Sequence, residues 1–179
     1  SDGGPVAVPS QDMVLGIYYL TQERPNSLGE GHYFKNLNEA ILAYENGYVK
    51  LHSRIHVRVT KKMADGTEKT GTVESTLGRF IFNEILPQDL GFVDRSIPEN
   101  DLVLEVDFHV GKKGLKQILE KVINIHGATT TAEVLDDIKA MGYKYSTRAA
   151  MTVSISDMTV PEKKPALIKQ AQDTVDLIT

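Results

Sequence analysis

The sequence predicts an α+β fold: mixed helices with short antiparallel strands and a β-hairpin, ending in a coiled-coil helix truncated before its partner. Three observations predict it. Residues 50–59 alternate, with Leu51, Ser53, Ile55, Val57 and Val59 on one face and Lys50, His52, Arg54, His56 and Arg58 on the other. That two-residue period belongs to a half-buried strand. Asp65-Gly66 then supplies a hairpin turn, so a return strand is expected over about 67–76. Elsewhere, apolar residues recur at helical spacing behind side chains suited to cap a helix.

Residues 1–9, with two glycines and two prolines, read as an extended lead-in. Ser10 is placed to cap a helix running to about Thr21, with Asp12 in the first turn, where its charge suits the helix dipole, and Gly16 as the weak point. Arg24-Pro25-Asn26-Ser27 breaks the pattern, and a loop continues past Gly31. Asn36 and Glu39 form a capping box ahead of Leu37, Ala40, Ile41 and Tyr44, and Gly47 stops that helix. Beyond the hairpin, Gly78 to Leu86 reads as a short buried helix ended by Pro87, followed by a loop over 88–101. Leu102, Leu104, Val106 and Phe108 alternate like a strand.

From Lys112 the period becomes helical: Leu115, Ile118, Leu119, Val122 and His126 share a side, and Gly127 closes the helix. A second capping box, Thr130 with Glu133, opens the next helix, with Leu135, Ile138 and Met141 inward and Gly142 after it. Met151, Val153 and Ile155 alternate and suggest one more strand. After Pro161 and Pro165, an apolar stripe of Leu167, Ala171, Val175 and Ile178 runs to Thr179 without a stop signal, as a helix does when cut before its partner. Two units are expected: a domain over 1–147 and the start of a second module over 148–179.

A chain of 179 residues is long enough to bury a core without staples. With no cysteine, disulfides and thiolate metal sites are excluded, which fits a reducing cytoplasm. No apolar run reaches membrane-span length and no signal peptide is recognisable. Ser1 opens the chain in place of Met, the pattern expected of an excised piece with a cloning remnant. Twenty Lys plus Arg against 24 Asp plus Glu give a net charge of −4, which argues against autonomous nucleic-acid binding.

Catalytic motifs are missing. Gly111-Lys112-Lys113-Gly114 has neither the spacing nor the Lys-Ser/Thr ending of a P-loop, and there is no Ser nucleophile elbow or His-Glu-x-x-His motif. His52 and His56, four residues apart on a strand, stand about 13 Å from each other and do not share one metal. With Arg54 and Arg58 they form either a solvated strand face or a cationic face for a partner. Gln11 and Asp12 sit in a first helical turn with side chains free to reach outward. Arg79 and Arg148 each precede apolar residues, a setting in which an arginine ties loops together through carbonyls and carboxylates.

Four blocks carry a family resemblance. They are Pro9-Ser10-Gln11-Asp12-Met13-Val14-Leu15-Gly16-Ile17-Tyr18-Tyr19-Leu20-Thr21, Glu45-Asn46-Gly47-Tyr48-Val49-Lys50-Leu51-His52-Ser53-Arg54-Ile55-His56-Val57-Arg58-Val59, Leu77-Gly78-Arg79-Phe80-Ile81-Phe82-Asn83-Glu84-Ile85-Leu86-Pro87, and Thr147-Arg148 through Met158-Thr159-Val160-Pro161-Glu162-Lys163-Lys164. Collinear over nearly the whole chain, they resemble the large β′ subunits of bacterial DNA-directed RNA polymerase.

The resemblance implies a pore, or secondary-channel, wall through which nucleotides enter and into which the RNA 3′ end is extruded on backtracking. It implies that Gln11 and Asp12 lie near the active centre, that Arg79 and Arg148 are pore candidates, and that Lys163 and Lys164 begin a rim where Gre-type cleavage factors dock. The implied partners are the β, α and ω subunits, DNA, RNA and nucleoside triphosphates, with no membrane. The catalytic magnesium would be held by an Asp-rich motif upstream, so no metal or cofactor is expected in this segment, and the isolated chain should be inactive.

The sequence departs from relatives at Thr147-Arg148-Ala149-Ala150 and Ser154-Ile155-Ser156-Asp157, where Thr-Arg-Ser-Gly and Gly-Ile-Asp-Asp are common, so loop geometry over 148–157 is least guided by the resemblance. Where some relatives bind guanosine tetraphosphate with Lys, Ile, Asp and Tyr, this chain has Thr129, Glu133, Asp136 and Ala140, and no binding is expected. The competing readings are a stand-alone protein-binding module, using the cationic strand face and the apolar stripe, and a small hydrolase built on Asp12 and a histidine.

Overall fold

A computed structural model of the chain describes residues 9–159, with side chains described through Thr152. The expectations for residues 1–8 and 160–179, including Lys163, Lys164 and the stripe from Leu167 to Ile178, lie outside the described residues.

The elements run α1 (Gln11–Leu20), β1 (Tyr33–Phe34), α2 (Leu37–Glu45), β2 (Arg54–Lys62), β3 (Glu68–Thr76), α3 (Leu77–Asn83), a 3-10 turn (Pro98–Asn100) and α4 (Lys112–Thr159). The architecture is α+β, as the sequence predicts. Strands β2 and β3 form the expected antiparallel hairpin, with Val57 opposite Val73. Strand β1 adds to the other edge of β2 in parallel, Tyr33 beside His56. Two residues are too few to leave a periodic signal, so this strand has no counterpart among the expected elements. Ile55, Val57 and Val73 point into one core shared with Ile17 and Leu20 of α1, Phe80 and Phe82 of α3, and Leu115, Ile118, Leu119 and Val122 of α4.

The caps form as expected. Ser10 accepts from the Met13 N–H at 3.3 Å, and Asn36 from the Glu39 N–H at 2.8 Å. Glu39 Oε1 reaches back to the Lys35 N–H at 2.7 Å, one residue beyond the position a standard capping box uses. Thr76 caps α3 by accepting from the Arg79 N–H.

Four expectations are overturned. Residues 102–108 form no strand. Side-chain amides replace a neighbouring strand there: Asn83 bonds the N–H and C=O of Val106, and Gln88 Oε1 accepts from the Glu105 N–H. Next, Gly142 does not end a helix, and residues 151–155 are helical rather than a strand; α4 runs to Thr159, through the stretch expected as loop over 148–157. Gly142 is a crossing point: a Cβ on Gly16 of α1 would lie 1.8 Å from the Gly142 carbonyl oxygen, and one on Gly142 would lie 2.8 Å from Met13 Cα. The two glycines let α1 and α4 touch backbone to backbone, which explains a mid-helix glycine better than a stop signal does.

Third, the α4 axis breaks at Gly127 (φ 86°, ψ 179°) as expected, but the helix resumes at once. Thr130 therefore lies inside the helix and opens nothing, while Thr131 Oγ1 bonds the Gly127 carbonyl at 2.8 Å. Last, β2 begins at Arg54, so His52 sits in the preceding turn and is buried, off the solvated face of the strand.

Candidate functional site

The first turn of α1 is the exposed end of an otherwise buried helix. Met13, Ile17 and Leu20 sit in the core, and α1 lies along α4. Gln11 and Asp12 are both exposed, on the turn that Ser10 caps.

The opposite end of α1 is held by side chains from three segments. The last carbonyls of a helix lack intrahelical partners and carry the negative end of its dipole. In α1 the Tyr18 carbonyl meets His109 Nε2 at 2.8 Å, the Tyr19 carbonyl meets His52 Nε2 at 2.6 Å, and the Thr21 carbonyl accepts from Arg79 Nε at 2.9 Å. The Leu20 carbonyl abuts Gly78, where a Cβ would lie 1.9 Å away. Thr21 Oγ1 donates to the Ile17 carbonyl at 2.8 Å and accepts from the Val110 N–H at 2.9 Å.

Burial lowers the His52 pKa to about 4, so the ring is neutral near pH 7. A carbonyl only accepts, which assigns the proton of each ring to Nε2. Partial burial holds His109 below its ordinary value too. Each ring also packs on a tyrosine of α1: His109 lies 4.1 Å from Tyr18, and His52 meets Tyr19 edge-on at 4.9 Å.

Arg79 extends this collar into a charge network. Its buried Nη1 bonds Glu23 Oε1 at 3.1 Å and Asp107 Oδ1 at 3.3 Å. Arg54 reaches the same two carboxylates at 3.1 and 3.0 Å, and Glu74 at 3.1 Å. Ser75 Oγ donates to Asp107 Oδ1 at 2.6 Å. Two guanidinium groups thus face three carboxylates. Arg79 does what its sequence context suggests, joining loops through a carbonyl and carboxylates.

The cationic strand face is thereby reduced. Arg54 is neutralised, His52 is buried, and His56 stacks flat on Tyr33 at 4.1 Å, which leaves Lys50 and Arg58 exposed. The histidine pair shares no site. His52 and His109 sit at the end of α1 remote from Asp12, so neither serves as its base.

Arg148, on α4, donates to the Tyr44 hydroxyl at 2.6 Å, and its guanidinium lies 5.6 Å and 5.7 Å from the Tyr44 and Tyr145 rings. It pins α4 to α2, away from the Arg79 network in its bonding. The four positions aligned with an effector site, Thr129, Glu133, Asp136 and Ala140, are helical; Thr129, Glu133, Asp136 and Ala140 are all exposed. An open cleft of about 790 Å³ lies at the hairpin tip, lined by Lys61, Lys62, Arg95, Asp89 and Asp101. Its charges are of both signs and partly engaged already, Arg95 with Glu105 at 3.2 Å and Lys61 with the Asp101 carbonyl at 3.1 Å.

Thr21, Glu23, Asp107 and His109 were missed in the sequence. No motif marks them; only the meeting of α1, α3 and the 101–111 segment gives them a role.

The family described as RNA polymerase Rpb1, domain 3, matches residues 1–158. The DNA-directed RNA polymerase subunit beta′ of Lachnoclostridium phytofermentans is 70% identical over 176 residues, covering 98% of this chain and 14% of that subunit. The corresponding subunit of Acetivibrio thermocellus is 56% identical over 178 residues, and that of Clostridium acetobutylicum 52% over 178, each covering 99% of this chain and 15% of the relative. The chain therefore spans about one seventh of the curated relatives it matches.

Proposed function

The chain belongs to the RNA polymerase Rpb1 domain 3 family, and from that premise we propose that it forms a wall of the pore, or secondary channel, of a DNA-directed RNA polymerase. In this reading residues 1–147 are the body of the wall, and residues 148–179 begin a second module. Its partners are the β, α and ω subunits, the template DNA, RNA and nucleoside triphosphates. Lys163 and Lys164 belong to a rim that receives Gre-type factors, and the assembly works in the cytoplasm.

One observation carries the reading. Gln11 and Asp12 are the exposed end of a helix whose other end is locked by His52, His109 and Arg79. Such a helix presents a fixed polar turn to whatever passes it.

The nucleotidyl transfer of such an enzyme uses two magnesium ions held by clustered carboxylates. The described residues do not fit that task. Glu23 and Asp107 are already paired with Arg54 and Arg79, and Asp12 is a single carboxylate on an exposed turn. The chain's own contribution is shape and positioning. The test is nucleotide addition by an assembled polymerase carrying Gln11→Ala or Asp12→Ala. A raised KM for nucleoside triphosphate supports the reading; unaltered kcat and KM in both variants contradict it.

The exposed helix surface at Thr129, Glu133, Asp136 and Ala140 offers a polyanion two negative charges and no cation. Guanosine tetraphosphate is therefore expected not to bind there, and micromolar binding by the assembled enzyme at this surface would refute that.

A further inference from the structure

We infer that His52, His109 and Arg79 are positioning residues, whose hold on the last carbonyls of α1 sets where its first turn, with Gln11 and Asp12, comes to rest. The inference rests on the wall reading above for its consequence in nucleotide addition. The collar itself is a matter of geometry.

Gly16 touches Gly142 backbone to backbone, so no side chain lies between α1 and α4 there to absorb a tilt. The contact acts as a pivot. Gln11 and Thr21 each lie five residues from Gly16, about 7.5 Å along the axis on either side. A displacement at the carbonyl end is therefore mirrored, at similar size, by the first turn.

Three donors at the carbonyl end come from places far apart in the chain: the turn before β2, α3, and the segment entering α4. Each fixes a different carbonyl, so together they fix direction as well as position. Thr21 already closes α1 through its own N–H to the Ile17 carbonyl at 3.0 Å, and its hydroxyl bonds the same carbonyl. Both of those bonds go to the Ile17 carbonyl; the Tyr18, Tyr19 and Thr21 carbonyls take side-chain donors from His109, His52 and Arg79, so satisfying the end of the helix also ties it to three distant segments.

His109 is the member to test, because it is the exposed one and its replacement leaves the core intact. His109→Phe keeps a ring against Tyr18 and removes the donor; His109→Gln places an amide N–H where Nε2 stood. Assembled polymerase carrying each variant is examined by amide exchange over residues 11–21 and by the nucleotide dependence of single additions, with exchange over residues 54–76 reporting that the hairpin is intact.

In His109→Phe the α1 amides should exchange about fivefold faster, the loss of one net hydrogen bond. KM for nucleoside triphosphate should rise about threefold or more with kcat little changed, because a displaced turn misplaces the substrate path. His109→Gln should restore both. If Phe and Gln variants exchange alike over residues 11–21, the positioning role is overturned. If exchange follows the expected pattern while KM is the same in all three enzymes, the collar stands and the wall reading falls.

Discussion

Asn83 holds Val106 by both of its backbone groups: Nδ2 donates to the Val106 carbonyl at 2.7 Å, and Oδ1 accepts from the Val106 N–H at 3.0 Å. One side-chain amide thus does for Val106 what a neighbouring strand does for a residue in a ladder. Both partners are buried, so neither backbone group has water as an alternative.

Asn83→Ala leaves that N–H and C=O unpaired in the core. Each buried unsatisfied group costs about 1–3 kcal/mol, so a loss of about 2–6 kcal/mol is expected in urea unfolding. Asn83→Asp sets a buried carboxylate oxygen against the Val106 and Arg79 carbonyls, where Nδ2 had donated to both at 2.7 Å, and should cost at least as much. Equal stability of Asn83→Ala and the parent chain would contradict the geometry.

The glycine crossing gives a paired test. Gly142→Ala puts a methyl 2.8 Å from Met13 Cα, where backbone has to move. Overpacking of this kind costs about 1–3 kcal/mol, against roughly 1 kcal/mol gained in helix propensity. Gly114 also lies in α4, but its added Cβ would meet nothing nearer than Val110 Cγ1 at 3.6 Å. Gly114→Ala should therefore raise Tm while Gly142→Ala lowers it.

His52 makes stability depend on pH in one direction. Its pKa falls from 6.5 in the unfolded chain to about 4 in the fold. Between those values the unfolded chain binds the extra proton, so stability drops as pH falls from 6.5 toward 4 and is level above 6.5. The full drop is about 3 kcal/mol. His109, shifted the same way, adds to it. Unfolding midpoints across pH 4–8 check this, and His52→Gln should flatten the slope.

Two arginines separate a structural charge from a solvated one. Arg79→Ala removes the donor to the Thr21 carbonyl and leaves Glu23 and Asp107 facing each other with Arg54 alone between them. A cost of about 2–4 kcal/mol is expected, moderated because both acids are partly exposed. Arg58 is exposed, and Arg58→Ala should change stability by less than about 0.5 kcal/mol. Chemical denaturation of the two variants side by side is the measurement.

These contrasts show what could be read from the chain and what could not. Local chemistry was legible: Ser10 and Asn36 as caps, Asp65-Gly66 as the turn, and Leu115, Ile118, Leu119 and Val122 as a buried stripe all stand where spacing put them. Errors arose where a distant segment overrides a local signal. Gly142 reads as a stop until Gly16 is found against it. Residues 102–108 alternate because Val106 is buried beside half-buried Leu102, Leu104 and Phe108, yet Asn83 supplies the hydrogen bonds a strand partner would have. His52 follows the strand alternation in sequence but precedes the strand in space.

The candidate site divides the same way. The exposure of Gln11 and Asp12 follows from a capped helix start with an inward apolar face. The collar that holds the other end depends on His109, which stands 91 residues from its partner Tyr18, a separation no local pattern reports.

The most direct measurement replaces Gln11 with a photo-crosslinking residue in an active, assembled polymerase and irradiates complexes backtracked by defined numbers of nucleotides. The expected result is an adduct to the RNA 3′ segment that appears on backtracking and is lost when the extruded RNA is cleaved away. An active enzyme that yields no adduct to RNA or nucleotide in any register would contradict the placement of this turn beside the channel.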